Sequence, residues 1–178
     1  MKKSKITHDS LKKTSRRFRL LLSAFLILFT LSCCSDKDNN TDIQDNLPPD
    51  PGVAGKATLE GIDSDKDGLR DDVQRYIYMN FNKEDERKVL INLANNIQIM
   101  ILNSQDKNSA INAAQQMSLN LECLYYLNST NASKVVENIE ALSANTELRF
   151  AAYMKANENL SGETFLSNGI DNFKDSCF

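Results

Sequence analysis

The sequence predicts an all-α domain, an irregular bundle of about five helices, and three observations predict it. From about Ala57 to Phe178, apolar residues recur three and four positions apart, the spacing of one buried helix face. No convincing run of alternating apolar residues marks a strand. That stretch is also roughly 120 residues long, enough for a single domain with one core.

The elements follow in order. Val73, Tyr76, Ile77 and Asn80 share one face of a first helix, which starts inside an acidic stretch at 63–74 and ends near Phe81. Asn82 is the expected N-cap of the second, because Glu84, Asp85 and Glu86 follow where the positive end of a helix favours acids. Leu90, Leu93, Ala94, Ile97 and Ile101 then carry a long amphipathic helix to near Asn103. A third is expected from about Ser109 to Leu127, with Ala110, Ala114, Met117, Leu121, Leu124 and Tyr125 inward. After a break at 128–131, Val135, Val136, Ile139 and Leu142 mark a fourth. A fifth, capped by Asn145 or Thr146, reaches about Leu160 and stops at Ser161-Gly162. The connections are short and no internal repeat is visible.

Upstream of the bundle, residues 1–33 have the build of an export signal. Eight Lys and Arg residues precede the apolar run 20–31, which is shorter than the roughly 20 residues a membrane-spanning helix needs. Ser32-Cys33-Cys34 follows directly, and a cysteine after a leucine-rich run and a small residue resembles the lipobox of bacterial lipoproteins. That resemblance implies cleavage before a lipid-bearing cysteine, Cys33 or Cys34. Ser32 favours the first register, whereas Leu31, three residues upstream, favours the second. Residues 34–56 are polar, acidic and broken by three prolines, so they read as a flexible tether with too little apolar surface to offset its ordering entropy.

The one stretch in which residue types and spacing demand a particular chemistry is 63–74. Asp63, Asp65, Asp67 and Asp71 stand at positions 1, 3, 5 and 9 of a tight turn, with Gly68 at position 6, where only glycine takes the bend easily. This pattern resembles the calcium loops of EF-hand, thrombospondin type 3 and dockerin proteins. The resemblance implies Ca2+ held by Asp63, Asp65, Asp67, the carbonyl of Leu69 and Asp71. Position 12 is Gln74 where an EF-hand has a bidentate glutamate, so the affinity is expected to be lower, with Asp72 a partial substitute. Two Pro-containing breaks and three glycines precede the loop, so the order is loop then helix, and Arg70 at position 8 argues for a solitary site. Five carboxylates within ten residues repel one another unless a cation shares them.

Charge and residue usage exclude other classes. Eight basic residues and one acidic residue lie before Ser32, leaving 13 basic against 23 acidic, a net charge of about −10 that disfavours nucleic acid as a partner. His8 is the sole histidine and lies in the leader, so catalytic triads and His-based acid/base chemistry have no candidate. Cys123 and Cys177 read as a disulfide clamping the C-terminal tail onto the third helix, as expected of an exported domain. Arg149 and Tyr153, four apart, are read as a surface arginine laid over a half-buried tyrosine. Glu137 and Glu140 form the sort of acidic pair that helix surfaces make constantly. The pattern from Asn145 to Tyr153, with the DxDxDGxRDDVxxYI run, is similar to a group of uncharacterised exported bacterial proteins.

Together these readings point to a non-catalytic lipoprotein of the bacterial cell envelope, anchored by lipid at the outer membrane, whose calcium loop is structural. Two alternatives stand beside it: an inhibitor or immunity-type protein directed at a basic protein partner, and a calcium-dependent hydrolase using carboxylates. The oligomeric state is not encoded in these patterns.

Overall fold

The computed structural model describes residues 47–128 and 130–177. The expected export signal, both candidate lipid-bearing cysteines and most of the expected tether lie outside them. The described residues are all-α. Their five α-helices are α1 (Asp71–Asn80), α2 (Glu84–Leu102), α3 (Lys107–Leu127), α4 (Ala132–Ser143) and α5 (Glu147–Glu158). Two 3-10 turns, Ala54–Lys56 and Ile170–Ser176, flank the bundle in sequence. No described helix is long and apolar enough to cross a membrane.

The organising element is α2, which packs against all four other helices. Its buried positions Val89, Leu90, Leu93, Ala94, Ile97, Met100 and Ile101 cover more than one stripe, as a central helix requires. Leu69, Val73 and Ile77 join them from α1 and the residues before it, Cys123 and Leu124 from α3, and Ala132 and Ile139 from α4. At the other end Met100 meets Ala110, Ala113 and Ala156, small residues that let α3 and α5 approach closely.

Three details depart from the sequence reading. Lys83, not Asn82, precedes α2, and no side chain caps that end. Arg87 instead binds the carbonyls of Phe81 and Asn82, at 3.1 and 2.9 Å, closing the turn from outside. Of the expected inward residues of α3, Ala114, Met117, Leu121 and Tyr125 are only half-buried, and Glu122 and Cys123 go under instead. The cause is the C-terminal tail, whose 3-10 turn packs along α3 and covers that side. The tether also ends sooner than residue 56. Pro48 and Gly55 are buried, and the carbonyl of Pro48 accepts a 2.7 Å bond from Arg75. Prolines with fixed φ have little entropy to lose, so 47–56 can pack with few apolar contacts.

Cys123 and Cys177 are joined, with Cα atoms 5.0 Å apart. Beside them the buried Glu122 accepts a 2.5 Å bond from Ser176 and the backbone N–H of Asn168. Burial alone would raise its pKa, but the hydroxyls of Ser167 and Ser176 and that N–H hold it below the usual range. Gln115 pairs through both amide atoms with the backbone of Leu166, at 3.2 Å each way.

Candidate metal centre

Residues 47–70, apart from one 3-10 turn, have no helix ladder of their own, so their backbone carbonyls must find donors elsewhere. One buried arginine supplies donors to three of them, and a second ties the segment's end to α4. Arg149, 0 % exposed on α5, donates to the carbonyls of Gly55 (2.6 Å), Thr58 (3.0 Å) and Leu59 (3.1 Å) and to Asn145 Oδ1 (2.7 Å). Arg70, 1 % exposed, binds the last carbonyls of α4, Leu142 and Ser143, where a helix's negative end favours a cation. It also grips both oxygens of Asp72 at 2.9 Å. Gln98 takes the carbonyl of Glu60, and the N–H of Asp71 takes that of Ile62.

This arrangement corrects two readings. Arg149 is not a surface residue over Tyr153 but the most buried cation of the domain's described part. Asp72 is not brought to the loop, because Arg70 occupies both its oxygens and Asn145 donates to one of them at 3.1 Å. Burial would raise the Asp72 pKa, but the Arg70 hydrogen bonds and charge outweigh it and hold the carboxyl below the usual range. Burial and the neighbouring Arg70 charge lower the pKa of Arg149, which nonetheless stays protonated. Thr146, rather than Asn145, caps α5 by accepting from the N–H of Arg149. That leaves Asn145 to bridge Asp72 and Arg149.

Gly61 is what lets the loop lie against both arginines. Its φ is +78°, and a Cβ there would stand 2.6 Å from Arg70 Cδ and 2.8 Å from an Arg149 nitrogen. Gly68 has φ +91° but open space around it. Gly61→Ala is therefore expected to lose about 2 kcal/mol more in urea unfolding than Gly68→Ala, which meets the left-handed penalty without the clash. Equal losses would mean that the arginines yield freely.

On this support the loop gathers its acids. One oxygen each of Asp63, Asp65 and Asp71 lie within 4.8 Å of one another. Asp71, at the first turn of α1 and fully buried, accepts from Ser64 through its N–H (2.8 Å) and its hydroxyl (2.5 Å). Asp63 accepts from the N–H groups of Lys66 and Gly68 at 2.7 and 3.0 Å. Asp67 lies outside that group of three. One of its oxygens accepts from the N–H of Leu69 at 2.8 Å, and the other shares the Gln74 amide nitrogen with Asp65. The Leu69 side chain is buried in the core, which pins the backbone at loop position 7. Gln74 itself is 8 % exposed.

The electrostatics record the crowding. Partial burial and then the charges of Asp65, Asp63 and Asp71 push the Asp67 carboxyl above its ordinary range. Asp65 is held below its ordinary range, chiefly by the Gln74 hydrogen bond. Among the described residues, no lysine or arginine forms an ion pair with Asp63, Asp65, Asp67 or Asp71. Oxygen donors converging in a loop, free of nitrogen and sulfur donors, suit a hard divalent cation.

The other candidates for chemistry are engaged separately. Glu137 pairs with Lys134, while Glu140 accepts from the Tyr153 hydroxyl at 3.1 Å. Burial, then the Glu140 charge, pushes that hydroxyl up to about 12. A cavity of about 340 Å³ lies against Lys83–Glu86 and Leu127, and one of about 250 Å³ lies between α2 and α3, both lined by residues outside the loop. Comparison with protein-family models, with curated proteins and with solved structures found no match for the chain.

Proposed function

We propose that residues 63–74 bind calcium, and that the protein is a non-catalytic lipoprotein of the bacterial envelope in which this ion stiffens the entrance to α1. The observation that carries the reading is the convergence of Asp63, Asp65 and Asp71 without any partnering lysine or arginine among the described residues. Arg149 holds the backbone just before the loop and Arg70 ties the loop to the end of α4, so binding an ion need order little beyond the side chains. The anchor rests on the leader and on Cys33 or Cys34, and the intact mass of the envelope form reads whether either carries lipid. Support for a structural ion comes from its surroundings: the loop opens on solvent at Asp65 and Asp67, and Glu137 and Glu140 are occupied elsewhere.

Melting of the purified protein tests the ion directly. For a dissociation constant of about 10⁻⁴ M, 10 mM calcium adds roughly 2.7 kcal/mol, a rise in Tm of about 10 °C over the same protein in chelator. Asp65→Ala is expected to abolish that rise while changing little in chelator, because Asp65 is exposed and its bonds are confined to the loop. Identical melting of the parent protein in calcium and in chelator would end the proposal. Magnesium, which demands a tighter octahedral shell, is expected to give a smaller rise.

A further inference from the structure

Gln74 sits where the loop's twelfth ligand belongs, and its amide is in an unusual position. The side chain is nine-tenths buried, and its nitrogen donates to Asp65 Oδ2 at 3.0 Å and Asp67 Oδ2 at 3.1 Å. Its oxygen is buried with no hydrogen-bond partner. Half a turn about the last side-chain torsion would exchange the two atoms, at the cost of leaving the amide N–H groups where the oxygen now lies buried without a partner. Without a cation that turn is blocked, because it would set a carbonyl oxygen against two carboxylates. With a cation it is favoured, because the carboxylates then draw on the ion and a further hard oxygen completes its shell.

We propose that Gln74 is a gate on this site: its amide nitrogen stands in for the missing positive charge, and its oxygen turns inward to become a ligand when a divalent cation enters. The inference rests on the calcium reading above and deepens it. It accounts for an otherwise weak residue at position 12. A glutamate there would set a further carboxylate against Asp65 and Asp67 and remove the amide donor they share in the cation's absence. Glutamine keeps the loop folded in both states. The gate lowers apparent affinity, since the nitrogen-in state must be displaced before the ion is held fully.

The side-chain NH2 signals of Gln74 in nitrogen-15 spectra of the purified protein, assigned by their loss in Gln74→Glu, read the gate during a titration with calcium chloride. Without calcium the protons are expected downfield and slow to exchange, as donors to two carboxylates. They are expected to move upfield and exchange faster, in step with the calorimetric heat. Gln74→Glu is expected to bind calcium at least tenfold tighter and to melt lower in chelator. Calcium heat with unmoved Gln74 signals would overturn the gate and leave the calcium site standing, as would a Gln74→Glu variant with unchanged affinity. Absence of heat at millimolar calcium would overturn the site and the gate together.

Discussion

Arg149→Met is expected to lower the unfolding free energy by about 4 kcal/mol in urea titrations, a large part of the 5 to 15 kcal/mol typical of a domain. The substituted side chain still fills space, so the loss is not one of volume. What disappears is the donor set that holds Gly55, Thr58 and Leu59, three carbonyls of a segment with no ladder to fall back on. Each orphaned acceptor costs about 1 to 3 kcal/mol when buried, and partial access of water to this segment brings the sum toward the lower end. Relief of the repulsion between Arg149 and Arg70 offsets a little more. Arg149→Lys separates charge from geometry. An ammonium keeps the positive charge but cannot span three carbonyls and Asn145 from one planar group, so most of the loss is expected to remain. A lysine variant as stable as the parent would show that charge alone holds the segment. Hydrogen exchange should locate the damage at 55–62, and calcium affinity should fall with it, because the loop hangs from that segment.

Cys123→Ser with Cys177→Ser is expected to be the second large loss, about 3 kcal/mol. Releasing a link between residues 54 apart returns roughly 4 kcal/mol of chain entropy to the unfolded state. The folded tail has other ties, at Glu122 and Gln115 and between Tyr125 and Phe173, whose rings lie 6.2 Å apart. These hold a tail already brought near but do not restrict the unfolded chain, so they recover only part of the loss. Limited proteolysis should then cut first within 161–176, where Leu166 and Ile170 are exposed, while the calcium response is unchanged. Loss of that response together with the tail would tie the two ends of the domain in a way their separate contacts do not.

Several residues show where reading from sequence stops. Val73, Ile77, Leu90, Leu93, Ile97 and Ile139 announce their burial by spacing alone, since an apolar side chain at helical period has one sensible destination. Arg149 has the same spacing relation to Tyr153 and Ala156 as a core residue would, yet its charge places it on the surface in any pattern-based reading. Only the backbone of a distant segment makes its burial favourable. Asp72 is indistinguishable by type from the loop acids beside it, and its fate is decided by Arg70. Gly61 carried no signal beyond being one of three glycines before the loop.

What the linear order of residues determined was what depends on near neighbours, the five helices and the acid spacing with Gly68, and also the pair Cys123 and Cys177, which composition rather than proximity singles out. Helix periods and turn glycines act over a few residues, so their physics is complete within a short window. The folded domain alone decided which polar groups lie beneath that loop, because hydrogen bonds such as Arg149 to Gly55 join positions 94 residues apart. A buried charge is tolerable only where such distant partners meet it, and their meeting is a property of the packed helices rather than of any segment.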